Sequence, residues 1–386
     1  MREPISPAVA SRLPRVGTTI FTVMSALAQQ HDAVNLGQGF PDFEGDPALF
    51  EAVTTAMRAG HNQYPPMAGI APLRRAVADK IAKLYDKHYD PDTEITITAG
   101  ATQAILTSIL ALVHPGDEVI VLDPCYDSYE PNIVLAGAVP IHVPLTPGSF
   151  RPDFDRIQAA LSPRTRAIII NSPHNPSATV WRAQDMEQLT ELLRPTDVLV
   201  ISDEVYEHTV FDGAPHQSVA RWPELAARSV IVSSFGKTYH VTGWKVGYVA
   251  APATLSAEFR KVHQFNVFTV NTPMQYALAA YMADPRPYLD LPAFYQRKRD
   301  LFRAGLSRSR LRLLPSEGSF FQCVDYSAIS DLPEAEFCSW LTREIGVAAI
   351  PLSAFYADGR DQQLARFCFA KKDETLQTAL QRLAGL

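Results

Sequence analysis

Apolar positions along the chain follow two different periods. Near the N-terminus Ile20, Phe21, Val23, Met24 and Leu27 recur at helical spacing behind Thr18 or Thr19, either of which can cap the first turn. Residues 47–59 and 71–85 carry the same period, separated by a Pro- and Gly-containing loop at 61–69. From residue 94 onward short apolar runs alternate with helical stretches. Strands are predicted at 94–98, 119–122, 138–143, 167–170, 198–201, 230–232 and 246–250, with helices at 103–112, 129–136, 152–161 and 182–193 between them.

Several of these strands are solid apolar runs with no polar alternation, the pattern of strands covered on both faces by helices in a mainly parallel sheet. An α/β fold is therefore expected. Beyond about residue 260 longer helices take over, 287–307 among them, with short strands at 320–324, 347–350 and 366–369. The expected division is a large domain over 41–280 and a smaller α+β domain over 281–386, with the N-terminal segment 1–40 packing on the smaller one. A length of 386 residues points the same way, because single cores stop growing well before that size.

In such sheets ligands bind beyond the carboxyl ends of the strands, so polar residues there carry the candidate chemistry. Lys237 follows the 230–232 run in a small-residue turn, with Ser234 before it and Lys245 after. An amine between a hydroxyl and a second cation suits a cofactor bearing an aldehyde and a phosphate. The amine condenses as a Schiff base and the other two hold the phosphate. The plain alternative is a solvated loop lysine.

Asp203 ends a buried strand, where an unpaired carboxylate is costly. It is either a helix cap or ion-pair partner, or it pairs with a protonated pyridine nitrogen and keeps that ring an electron sink. Tyr206 and Asn175 can hydrogen-bond a ring hydroxyl, although Asn175 in its Asn-Pro turn also reads as a turn residue. Ala101 and Thr102 open a helix after Gly100, as a phosphate cradle or as an ordinary capped helix. Tyr126 stacks on an aromatic ring or packs in the core. Arg366, beside an apolar strand, suits a bidentate carboxylate or an internal salt bridge.

Charge and composition narrow the partners. The formal net charge is -6 with no basic tract, which leaves no case for nucleic acid or an anionic membrane. The apolar runs are too short to span a bilayer, and the first residues lack a signal peptide's apolar stretch. Cys125, Cys323, Cys338 and Cys368 show no CxxC spacing, so reduced thiols in a cytoplasmic protein are expected, with neither disulfides nor a metal site.

The run Ser-Ser-Phe-Gly-Lys-Thr-Tyr-His-Val-Thr-Gly-Trp-Lys-Val-Gly at 233–247, with the ordered set Asn175, Asp203, Tyr206, Ser234, Lys237, Lys245 and Arg366, resembles the class I (fold type I) pyridoxal-phosphate-dependent aminotransferases. Within them it is most similar to the methionine aminotransferase and kynurenine/glutamine transaminase branch. The resemblance runs from Gly37 to the Arg366 strand. It implies pyridoxal 5'-phosphate as cofactor, with Lys237 as Schiff-base residue and proton carrier and Asp203 on the pyridine nitrogen. Asn175 and Tyr206 would bond the ring hydroxyl, Tyr126 would stack, and Ala101, Thr102, Ser234 and Lys245 would surround the phosphate. Arg366, Asn175 and the Gly39 backbone would hold the substrate carboxylate. Tyr64 would reach the neighbouring subunit's phosphate, which implies a homodimer.

The implied reaction is ping-pong transfer of an amino group to a 2-oxo acid, with methionine favoured and aromatic amino acids, glutamine or histidine as other donors. Ile20, Phe21, Phe40, Tyr126, Phe268, Phe355 and Tyr356 could line an apolar side-chain pocket, and no second arginine stands out for a dicarboxylate. A C–S β-lyase on the same cofactor is the alternative enzyme. A non-catalytic cofactor-sensing module would need a DNA-binding segment, and no basic helix-turn-helix precedes the pattern. Two positions depart from the family's usual residues. Lys245 stands where arginine is common, and Ser177-Ala178-Thr179 where glycine is common, so an altered loop shape is expected there with the chemistry unaffected.

Overall fold

The computed structural model describes residues 9–386; the first eight residues of the expected N-terminal segment lie outside them. A short strand, Val34–Asn35 (β1), precedes the central sheet. That sheet contains Ile95–Thr98 (β2), Glu118–Asp123 (β3), Val139–Pro144 (β4), Thr165–Asn171 (β5), Leu199–Asp203 (β6), Ser229–Ser234 (β7) and Gly247–Ala250 (β8). Its order is β2-β8-β7-β6-β5-β3-β4. Only β8 runs antiparallel to its neighbours, β2 and β7; the other pairings are parallel. The architecture is α/β, as expected.

The solid apolar runs now have a physical cause. Ile120, Leu122, Ile168, Ile170, Val200 and Ile231 enter one hydrophobic core. Their chain neighbours Val119, Val121, Ile169, Ile201, Val230 and Val232 enter the other, beneath the helix Ala101–Leu112. Successive side chains point to opposite faces, so two buried faces demand an apolar residue at every position.

The C-terminal part builds a four-stranded antiparallel sheet from Arg312–Leu313 (β9), Phe321–Asp325 (β10), Ile350–Pro351 (β12) and Leu364–Cys368 (β13). Val347–Ala348 (β11) leaves this sheet and pairs in parallel with β1, which ties the N-terminal segment to the C-terminal region. The single strand predicted at 347–350 is thus two short ones with different partners, and β9 is an addition. The long helix predicted at 287–307 is two, Arg286–Leu289 and Leu291–Leu306. Pro292 has no N–H, and its ring would meet the carbonyl four residues back, so the helix restarts there. Among the described residues no helix is long and apolar enough to cross a membrane.

Candidate active site

One cavity of about 290 Å³ lies at the carboxyl ends of the central strands, closed by residues of the N-terminal segment and the smaller sheet. It is lined by Gly39, Ala101, Thr102, Tyr126, Asn175, Asp203, Tyr206, Ser234, Lys237, Lys245 and Arg366. Tyr64 is not among them: it is 79% exposed, with its ring edge-to-face on Phe268. Phe268 does not line this cavity either; it is half exposed in the loop after Ala253–Asn266, with a left-handed φ of 69°. Phe21, Phe40 and Tyr126 do line the cavity; Ile20, Phe355 and Tyr356 line an adjoining groove that shares Tyr126.

Lys237 lies on a one-turn helix, Phe235–Thr238, rather than in the open turn expected. Its Nζ donates to the Gly39 carbonyl at 2.8 Å and stands over the Tyr206 and Phe320 rings. Burial lowers its pKa to about 8, and the positive charges of Arg366 and Lys245 act in the same direction. Neutral amine is therefore available near neutral pH.

Asp203, at the end of β6, is 4% exposed. Burial raises its pKa to about 6 against the lowering effect of a hydrogen bond from Tyr129. The Tyr129 hydroxyl donates to Oδ2 at 2.7 Å and the Val205 N–H to Oδ1 at 3.3 Å. None of the ion pairs among the described residues includes Asp203.

At the cavity's other end the helix Ala101–Leu112 begins after Gly100, whose φ of 82° favours glycine. Lys245, itself left-handed at φ 55°, folds over that start: a Cβ at Gly100 would lie 3.4 Å from its Nζ. The start of this helix, Thr102, Ser234 and Lys245 all line the one cavity, and N–H groups at a helix start, hydroxyls and an ammonium are the donor types that suit a phosphate.

Arg366 on β13 is 1% exposed. Its Nη1 donates to Asn175 Oδ1 at 2.6 Å and its Nη2 to the Gly37 carbonyl at 3.0 Å, while Nε has no hydrogen-bond partner among the described residues. The guanidinium stacks at 4.0 Å from the Phe321 ring centre, with Phe355 and Phe21 at 4.9 and 5.4 Å. A guanidinium held by neutral acceptors and aromatic faces keeps its charge free for a small anion.

Two residues in this arrangement escape a reading of the sequence. Asn171 lines the cavity, donates to the Asp203 carbonyl and accepts from the Asn175 N–H, both at 2.8 Å. Its place at a strand end was its one signal. Tyr129, buried inside a short helix, carried none. Ala178, within the Ser177-Ala178-Thr179 stretch after Asn175, takes a left-handed φ of 63°.

The donor set fits pyridoxal phosphate on observations independent of any relative. An amine near its neutral point, an anion cradle and a buried carboxylate without a cation face a single cavity. On this fold such a set suits the pyridoxal-phosphate-dependent aminotransferases. The family model for aminotransferase class I and II matches residues 31–383, and the chain belongs to that family. It is 55% identical to the methionine aminotransferase of Escherichia coli, over 97% of this chain and 98% of that protein. A crystal structure of an Escherichia coli protein described as having a methionine aminotransferase function superposes with a TM-score of 0.97 at 54% identity, covering 99% of this chain and 100% of the other. Mouse kynurenine–oxoglutarate transaminase 3 is 36% identical, over 96% of this chain and 88% of its own length. The protein is an aminotransferase, and its cofactor is pyridoxal 5'-phosphate.

Proposed function

We propose that the chain moves the α-amino group of an amino acid, methionine favoured, to a 2-oxo acid by a ping-pong cycle. The observation that carries this is Arg366, a buried cation in no ion pair among the described residues, opening on the cavity that holds the Lys237 amine. Ala101, Thr102, Ser234 and Lys245 would hold the cofactor phosphate, Asp203 its ring nitrogen, Asn175 and Tyr206 its ring hydroxyl, and Tyr126 its face. When bound, the cofactor supplies an electron sink for the charge left at substrate Cα.

The chain's own groups do the rest. Arg366 and Asn175, with the Gly39 backbone, grip the substrate carboxylate and so orient Cα. Neutral Lys237 Nζ would take the proton from Cα and deliver it to the carbon that carried the cofactor's aldehyde, and would run the transfer backwards in the second half of the cycle. Phe21, Phe40 and Phe321 keep water from the reacting atoms. These apolar walls support a thioether side chain, and similarity to the Escherichia coli enzyme supports methionine in particular.

The division into a segment up to residue 40, a large domain over 41–280 and a small domain over 281–386 is supported by the two sheets and the β1–β11 pairing. A homodimer is supported by the exposed aromatic residues Tyr64, Phe265 and Phe268, the first of which would reach the other subunit's phosphate. Four buried, unpaired cysteines support a reducing, cytoplasmic location.

The test is a panel of amino donors given to the cofactor-loaded protein, following the cofactor's visible absorbance and the 2-oxo acid formed. Methionine should bleach it fastest, and a 2-oxo acid should restore it. Rapid bleaching by aspartate with none by methionine overturns the substrate. Pyruvate and ammonia released from a cysteine conjugate with no acceptor present would mark a lyase instead.

A further inference from the structure

Among the described residues Asp203 is the one buried carboxylate lining the cavity, and a residue outside that lining holds its side chain. Oδ1 receives the N–H of Val205, two residues along the same chain, while Oδ2 receives the hydroxyl of Tyr129, which belongs to a different element. Tyr129 is 2% exposed and opens the helix Tyr129–Leu135. Its ring stands edge-to-face against Tyr126 at 5.7 Å, and Tyr126 lines the cavity. One short segment therefore carries both the ring that faces the cavity and the hydroxyl that turns the Asp203 carboxylate toward it.

We propose that Tyr129 is a positioning residue for the cofactor: its hydroxyl orients Asp203 and keeps that carboxylate ionised toward the ring nitrogen, while its ring seats Tyr126. This rests on the assignment of Asp203 to the ring nitrogen. Burial favours protonation of Asp203, and a protonated carboxyl could not pair with a pyridinium. Each hydrogen bond that favours the charged form counters burial, and among the described residues Tyr129 supplies the only one from a side chain. A carboxylate free to rotate about its last torsion would also lose the directional contact that a ring nitrogen requires.

The test is Tyr129→Phe, which keeps the ring and deletes one oxygen, compared with wild type and with Asp203→Ala. A hydrogen bond to a charged group is worth enough to change an equilibrium by about 10- to 100-fold. Cofactor dissociation, measured by reconstituting the cofactor-free proteins, should weaken by that factor in Tyr129→Phe. The kcat for methionine should fall with KM within about two-fold, and the cofactor-free melting temperature should stay close to wild type. Unchanged cofactor affinity overturns the proposal. So does a melting temperature of the cofactor-free variant lowered as far as that of the loaded one, which would make the contact purely structural. If Asp203→Ala binds cofactor as tightly as wild type, the assignment of Asp203 fails instead, independently of what Tyr129→Phe does.

Discussion

The Arg366 guanidinium donates a 2.6 Å hydrogen bond to the side-chain oxygen of Asn175, a residue 191 positions earlier in the chain. The contact joins the smaller sheet to the loop after β5 and aims the guanidinium into the cavity. Three aromatic rings face it, a setting that suits a planar, weakly hydrated guanidinium better than a hydrated ammonium. Arg366→Lys should therefore lower kcat/KM by about 100-fold for every amino donor alike, since a charged pair lost at a desolvated site is worth roughly 2–5 kcal/mol. Cofactor affinity should change little. A loss confined to one donor would place Arg366 on the side chain rather than the carboxylate.

Lys237 titrates at about 8 in the cofactor-free cavity because burial penalises its charged form. Only the neutral amine attacks an aldehyde. The rate at which cofactor-free protein captures pyridoxal phosphate should rise with pH and level off above about 8, read as growth of the cofactor's visible absorbance. Lys237→Ala should abolish multiple turnover while leaving the phosphate cradle able to retain cofactor through non-covalent contacts. A capture rate that is flat from pH 6 to pH 9 would contradict the lowered pKa.

Asp203 behaves in the opposite sense. Its pKa of about 6 in the folded, cofactor-free protein lies above the ordinary carboxylate value of 3.8. Between those two values the folded state binds more protons than the unfolded state, so stability falls as pH rises through that window. Cofactor-free Asp203→Asn should escape this fall and melt a few degrees higher than wild type at pH 7. Near pH 4 the two should converge. Equal melting temperatures at both pH values would show that the carboxylate is not desolvated.

Behind the site, Lys80, Glu207, Tyr85, Tyr248 and Ser233 form a buried network. Lys80 Nζ meets Glu207 Oε1 at 2.6 Å, and three hydroxyls donate to the same carboxylate at 2.6–2.7 Å. These hydrogen bonds and the lysine hold the Glu207 pKa well below the usual carboxylate range despite burial, with Lys80 the strongest opposing influence. Lys80→Met strands that carboxylate without its cation and should cost about 3–5 kcal/mol of stability. Adding Glu207→Leu to it should recover part of the loss, because an apolar pair needs no charge compensation. Chemical denaturation of the single and double variants measures both effects.

Much of the central sheet is legible in the sequence because it is buried twice over. β3 and β6 are buried at every position, and away from their polar ends they read as the unbroken apolar runs 119–122 and 199–201. Short edge pieces are different. β9, β1 and β11 have two residues each, too few to show a period, and they exist only through the partners that tertiary packing brings alongside. The break between Leu289 and Leu291 follows from a proline visible in the sequence, but the apolar period on either side continues through it.

The same distinction divides the cavity. Lys237, Asp203 and the Gly100 turn stand at the ends of strands, and Arg366 lies within one, so local pattern is enough to single them out by residue type and place. By itself the sequence determined the α/β class, the strand ends and the chemical inventory gathered there. Only the tertiary structure decided that Asn171 bridges Asp203 to Asn175, that the Tyr129 hydroxyl meets a carboxylate 74 residues away, and that Tyr64 stands exposed outside the cavity. The physical reason is range. Burial on two faces and backbone geometry constrain each residue where it stands. A hydrogen bond between distant segments depends on where packing sets both of them, and neither partner's own neighbourhood records it.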